Sequence, residues 1–363
     1  MKSARSLFVL LVAVCTVVAG GVLPGGRAAA APSWKPSLAV YLADGVTPAG
    51  QTPLHPGDVV VVKGTGYDPN ANTSGLPVPV PPGVPHGTFI AFGGFAPVWR
   101  PSQKAPESSR ALDRGQTRWA ISNSALNRVP DAPFDMRRTI RQQAVPLRAD
   151  GRFTARVTLT TPKNVPAHAR WGIYTYGAAD AVNASQEKYV PLDYSTAPGP
   201  NTPKPAVENL VWAYSPSFAP TFTGTTQGSV IGRNGSSVAK NGDLSFELVS
   251  NTVKGGSGEL RYRGTIIAYT KFHLAEIALA DPIIRVRGDH AVLSLKTSST
   301  NMNGDDALRR IDIADLTLTP RMRARIARGE NVTGCPAVFR PGITPELLQA
   351  VSIGAASPVN LRF

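Results

Sequence analysis

The stretch from Trp212 to Pro282 constrains this chain most, because its side chains follow a period of two. Between Glu259 and Tyr269 large residues alternate roughly with small or polar ones, the pattern of a half-buried strand. After a polar turn, Glu276-Ile277-Ala278-Leu279-Ala280 forms a second run that closes at Asp281-Pro282. Ile283–Arg287 and Ala291–Leu295 follow, separated by the turn pair Gly288-Asp289. No helix-period segment is long enough to supply crossovers, which parallel neighbours would require. The stretch therefore predicts an antiparallel meander.

The same signals extend to both sides. Asp243–Val249 is expected to pair with Gly258–Tyr269 across Gly255-Gly256-Ser257-Gly258, and Gly224–Gly242 to be loop with short strands. Ile311–Leu318 alternates strictly. Thr319-Pro320 then predicts a helix over Arg321–Ala327, with a Thr cap, Pro in the first turn and Gly329 as the stop. Thr344-Pro345-Glu346 predicts the same device for a helix to about Val351, and Pro358–Phe363 a last strand. Upstream, Leu38–Leu42, Val59–Lys63, Thr88–Phe95, Arg152–Leu159 and Trp171–Gly177 read as strands. Leu76–Pro85 reads as extended loop, and Arg100–Ile121 as a long exposed insertion pinned by Trp119. Pro198, Pro200, Pro203 and Pro205 mark a stiff linker. The expected organisation is a leader over 1–30, a β-domain over 36–194, a linker over 195–206 and a second β-domain over 207–363.

Two resemblances give these regions a context. Val59–Lys63 followed by Gly64-Thr65-Gly66-Tyr67-Asp68-Pro69, with Gly172-Ile173-Tyr174-Thr175-Tyr176-Gly177-Ala178 and Ser185-Gln186-Glu187 further on, resembles the immunoglobulin-like sandwiches of actinobacterial secreted proteins, the neocarzinostatin-like group among them. That group is stapled by disulfides, whereas residues 36–194 contain no cysteine. In the second region Trp212 with Ser217-Phe218, then Tyr262-Arg263-Gly264-Thr265-Ile266, then the acidic-apolar strand ending in Asp281-Pro282, resembles the HtaA domain over roughly Leu210 to Val351. HtaA domains are the haem-binding modules of actinobacterial surface haem-uptake proteins. The resemblances imply an all-β fold: an immunoglobulin-like β-sandwich followed by an antiparallel β-rich HtaA-like domain with two short helices.

The ends and the composition set the compartment. Met1–Ala31 has a basic start, an apolar run over Leu7–Val18 and a small-residue cleavage site before Ala31. That run is too short to span a bilayer. The expected address is secreted or envelope-associated, without a transmembrane span in the mature chain. The net charge is +14, of which Lys2, Arg5 and Arg27 in the leader carry three, leaving +11 for the remainder. Such a charge suits anionic envelope polymers, lipids or acidic ligands. No basic helix, zinc spacing or stacking-aromatic signature points to nucleic acid. Of the two cysteines, Cys15 leaves with the leader, so Cys335, in a turn-rich loop, is expected to be a free structural thiol.

The site reading follows from the resemblance. It implies a tyrosine iron ligand four residues after the Ser of the opening motif, with a histidine from the meander hydrogen-bonded to it. Here the Ser is Ser217, but the ligand position holds Thr221; the histidine position falls near Lys271, with His273 two residues on. Tyr214, Tyr262 and Tyr269 are the alternative phenols. Tyr214, Ser217, Phe218, Tyr269, Lys271 and His273 are thus the candidate haem-binding residues, with no metal assignment beyond haem. Asn301–Asp306 lacks the spacing of a calcium loop and reads as a solvated turn. His55, His86 and His168 read as surface-loop histidines. No Ser-His-Asp set, zinc cluster or phosphate-cradling loop is present, which predicts a binding protein and not an enzyme. The competing expectation is a structural or adhesive envelope protein whose HtaA-like domain has lost its haem site.

Overall fold

Thr88–Phe95 is the central strand of the N-terminal region in the computed structural model, which describes residues 33–205 and 207–363. The expected leader and its Cys15 lie outside the described residues. On one side Thr88–Phe95 pairs with Arg170–Gly177, which pairs in turn with Lys188–Pro191. On the other it pairs with Arg118–Ile121 and Arg110–Leu112. A second sheet is formed by Ser37–Tyr41, Val59–Thr65 and Phe153–Thr158. Period-two alternation points Val60, Val62, Ala155 and Val157 at Ile90, Phe92 and Ile173 of the first sheet, and these side chains make one buried core. This is the expected sandwich.

Three expectations for this region are corrected. Arg100–Ile121 is not an exposed insertion, because two of its segments are strands and Trp119, Ala120 and Ile121 are buried. His86 is fully buried, with its ring nitrogens 2.8 and 3.0 Å from the carbonyls of Val84 and Leu76. The Pro-rich segment is docked over Ser195–Thr202. Ser195 donates to the Leu54 carbonyl, Asn201 to Asp58, and the Thr202 hydroxyl to the Pro56 carbonyl.

In the second region Glu276–Arg287 is one twelve-residue strand, where two separate runs were expected. It bends at Asp281-Pro282 through an irregularity between Ala280 and Ile283. Its first half pairs with Thr265–Tyr269 and its second half with Ser257–Arg263. Gly264 stands between those partners at φ +127°, where an added Cβ would lie 2.7 Å from Ser236. Only glycine allows that approach. Beyond lie Leu244–Asn251 on one side, and His290–Ser298 and Leu308–Thr317 on the other. Val332–Cys335 and Ala337–Phe339 end the strand order on opposite sides, yet only Pro336 separates them, so the sheet curls into a nearly closed barrel.

The helix Pro320–Ala327 has its Thr319 cap, which accepts from the Met322 N–H. Glu346–Ala350 does not repeat the device. Pro345 occupies the cap position without a side-chain bond, and Asn301 accepts from the Leu347 N–H instead. Cys335 lies in a strand and is fully buried, with its thiol pushed up to about 11 by burial, which leaves it unreactive. Among the described residues no helix is long and apolar enough to cross a membrane.

Trp34–Phe363 is a single compact unit. Arg138, on the short helix Met136–Arg141 of the N-terminal region, ion-pairs with Glu276 and Asp306 of the second region. Leu274 packs against the apolar cluster that contains Met136 and Ile140. Pro203–Pro205 and Val207–Glu208 are exposed and lie outside helices and strands between the regions. A broad-specificity protease is therefore expected to nick there first, since Lys204-Pro205 resists trypsin. The fragments should co-elute in gel filtration. Cleavage elsewhere, or free migration of two folded halves, would show that the contacts through Arg138 and Leu274 do not hold the regions together.

Candidate functional site

The six residues singled out in the sequence fall into two groups. Tyr214 and Phe218 belong to a buried aromatic chain with Trp212 and Phe222, with successive ring centroids 4.8 to 5.3 Å apart. The Tyr214 hydroxyl lies 2.6 Å from the Ser352 hydroxyl. Burial pushes the Tyr214 phenol far above its ordinary range, and the Ser352 bond opposes this only in part. A ferric ligand must be a phenolate, the form this site disfavours. Tyr262 is also buried; its hydroxyl has no partner among the described residues, and burial raises it strongly. Ser217 is exposed and donates to the Val351 carbonyl at 3.3 Å.

Tyr269, Lys271 and His273 form the second group, on the loop that follows strand Thr265–Tyr269. The Tyr269 and His273 rings stack with centroids 4.0 Å apart and planes within 9°. Lys271 is exposed, and its Nζ donates to Gln227 at 2.9 Å. Phe272 and His273 both adopt left-handed backbone, at φ 58° and 53°. For side chains with a Cβ this costs on the order of 1–2 kcal/mol each. The loop is held from both ends. The Lys271 N–H donates to the Thr226 carbonyl, and His273 Nδ1 lies 2.8 Å from Glu276 Oε2.

Glu276 gives this loop its chemistry. Its side chain is 3 % exposed, and Arg138 donates to Oε1 at 3.2 Å. Burial pushes its carboxyl up, but the hydrogen bond from His273 and the charge and hydrogen bond of Arg138 outweigh it and hold the group at about 2. Glu276 is therefore an anion at neutral pH. A neutral imidazole facing it donates from Nδ1, which leaves the Nε2 lone pair free. His273 Nε2 makes no hydrogen bond among the described residues, and the side chain is 30 % exposed. A carboxylate behind Nδ1 with a bare Nε2 in front is the arrangement of a ligating histidine.

Arg138, Glu276, Asp306 and Gly304 escaped the sequence reading. The available signals were an acid opening an otherwise apolar strand, and Asp135 as a helix cap with Met136 and Ile140 spaced four apart. Asn301–Asp306 is not simply a solvated turn. Asn301 accepts from the Glu276 N–H, Gly304 donates to the Glu276 carbonyl, and Asp306 pairs with Arg138. Thr221 begins a wide helical turn over Thr221–Thr225, whose continuation at Thr226 and Gln227 meets the Lys271 backbone and side chain. The loop thus lies beside the segment of the implied ligand position, which itself offers only a hydroxyl. Among the described residues no group of three His, Cys, Asp or Glu side chains could hold a metal ion. A porphyrin iron needs only one such donor, and His273 fits that need where Thr221 does not.

Residues 208–338 match the HtaA family model, described as Htaa. Three solved structures from Corynebacterium glutamicum are similar. The N-terminal domain of HtaA has 16% identity and a TM-score of 0.33, covering 44% of this chain and 99% of its own. The haem-binding protein HtaB has 13% identity and a TM-score of 0.32, covering 42% and 90%. The C-terminal domain of HtaA has 16% identity and a TM-score of 0.32, covering 42% and 94%. At these values the likenesses carry no argument about ligand or site. No curated protein matches.

Two outcomes follow from the geometry. Glu276 lies below its ordinary value in the fold, so it stabilises above about pH 4.5 and loses that contribution as pH falls towards 2. Urea unfolding of wild type against Glu276→Gln should show a stability gap on the order of 3 kcal/mol near neutrality that shrinks between pH 5 and 2. A pH-independent gap would mean that Glu276 is not an ionised, compensated group. Tyr214→Phe removes one hydroxyl pair and should cost about 1 kcal/mol of stability.

Proposed function

We propose, starting from an HtaA domain over residues 208–338, that this is an exported or envelope-associated haem-binding protein of the uptake type in which His273 takes the place of the absent tyrosine ligand. The observation that carries this reading is the His273–Glu276 pair, a half-exposed imidazole oriented by a buried carboxylate. Haem would bring an iron in need of one or two axial donors and two carboxylates in need of cations. Nε2 of His273 supplies the donor, and Lys271 beside it supplies a positive charge. Tyr269 fixes the imidazole plane by stacking. The reading is of a binding protein and not an enzyme; the Ser217 hydroxyl, bonded to a backbone carbonyl, is no activated nucleophile.

One observation favours a second reading. Thr221 stands where the resemblance implies the ligand, so a structural or adhesive envelope role with a lapsed site is the alternative. Haemin titration of the full chain at low and high salt separates the two. A basic chain attracts haem carboxylates in any case, and salt screens that attraction. The expected result is a stoichiometric Soret shift that survives high salt. It should be abolished by His273→Ala, kept by Tyr214→Phe and weakened by Tyr269→Ala, which removes the stacked ring. If no salt-resistant complex forms, the haem reading fails and the lapsed scaffold stands.

A further inference from the structure

We infer that the N-terminal region is a working part of the second region's site: Arg138 and the apolar seat for Leu274 position His273 from outside the HtaA domain. This deepens the haem reading and rests on it for the identity of the ligand, though not for the positioning itself. Arg138 is 8% exposed and reaches Glu276 Oε1 and Asp306 at once. Glu276 Oε2 is the atom that holds His273 Nδ1. The two carboxylate oxygens are thus divided between the regions, one taking the guanidinium and the other the imidazole. One residue after His273, Leu274 leaves the second region's surface and packs against the cluster around Met136 and Ile140. Loop 270–275 is therefore pinned at adjacent residues, by charge through Glu276 and by apolar contact through Leu274.

The backbone at the junction is shaped for this contact. At Gly304, φ is +46°, and a Cβ there would lie 2.1 Å from Glu276 Oε1 and 2.6 Å from an Arg138 nitrogen. Any side chain at 304 would occupy the space in which guanidinium meets carboxylate. Among the described residues the charged groups around His273 are Glu276 at the start of the strand that follows, Arg138 from the N-terminal helix, Asp306 from the facing loop and Lys271 within the loop. Arg138 holds Glu276 Oε1 and leaves Oε2 turned towards Nδ1 of His273. Without the guanidinium the carboxylate loses the contact that fixes its rotation, and the imidazole loses its fixed acceptor. Arg138 is in this sense a positioning residue, acting on the ligand atom through Glu276.

The test uses the full chain with two readouts. The first needs no haem: the imidazole proton shifts of His273 in NMR, which the Tyr269 ring, stacked with centroids 4.0 Å apart, displaces while the loop is held. Arg138→Gln should move these shifts towards those of a free histidine, and Arg138→Lys should restore most of the wild-type pattern. The second is haemin titration at high salt, where Arg138→Gln should weaken binding at least tenfold and Arg138→Lys should recover most of it. A folded Arg138→Gln chain with wild-type imidazole shifts would overturn the proposal. So would a change of shifts that leaves haemin affinity untouched in a wild type that binds haem. If the wild type binds no haemin but Arg138→Gln changes the shifts, the haem reading falls and the positioning stands. Should Arg138→Gln fail to fold, Leu274→Ala, which keeps every charge, takes its place under the same readouts; unchanged imidazole shifts there would equally overturn the proposal.

Discussion

The bend of Glu276–Arg287 at Asp281-Pro282 is the constraint from which the second region follows. Pro282 has no N–H to give the ladder, so pairing must be broken there. Asp281, at φ 46°, donates to the Gly264 carbonyl across the corner at 3.0 Å. Gly264 in turn lets the partner chain break in register with it. One strand can then pair with Ser257–Arg263 in one direction and Thr265–Tyr269 in another, and the sheet turns the corner. The curl brings the end strands together at Pro336 and encloses the aromatic chain from Trp212 to Phe222. It also carries the end of Thr265–Tyr269 away from the core, so that loop 270–275 emerges towards the N-terminal region.

An acid at the start of that strand would be costly if left alone. Removing a carboxylate from water costs several kcal/mol unless charge and hydrogen bonds compensate. Glu276 is compensated on both oxygens, by His273 and Arg138. Such a pair contributes little net stability compared with apolar packing, and its defensible use is to specify geometry. Here it allows one seating of the loop: shifting Glu276 by one residue would turn its side chain to the other face of the strand.

The sequence was most legible where one physical signal acts alone. Alternation located Leu308–Thr317 and Phe153–Thr158, and the Thr319-Pro320 cap located its helix, because local chemistry suffices there. It was least legible where tertiary contact overrides local pattern. His86 lies between turn residues yet is buried, since Val84 and Leu76 place carbonyls at both ring nitrogens. Thr344-Pro345-Glu346 has the composition of a cap, but Arg309 engages the Thr344 hydroxyl and Asn301 caps the helix from another loop. The histidine at the site was found by resemblance. Its carboxylate was not, because a lone acid in an apolar run gives no hint that its cation lies 138 residues upstream in the chain.

The same separation bears on how the loop keeps its shape. Two consecutive left-handed residues with Cβ atoms, Phe272 and His273, would together cost about 2–4 kcal/mol in an unsupported turn. The second region supplies the Thr226–Lys271 backbone bond and the Glu276 carboxylate. Burying Leu274 against the N-terminal cluster adds a term on the order of 1–2 kcal/mol for a partly buried side chain. These terms are comparable to the strain, so neither region has a wide margin for holding His273 by itself. An imidazole whose orientation depends on two regions responds to whatever moves them relative to each other. Movement that drew Arg138 from Glu276 would then release His273 before it altered the fold of either sheet.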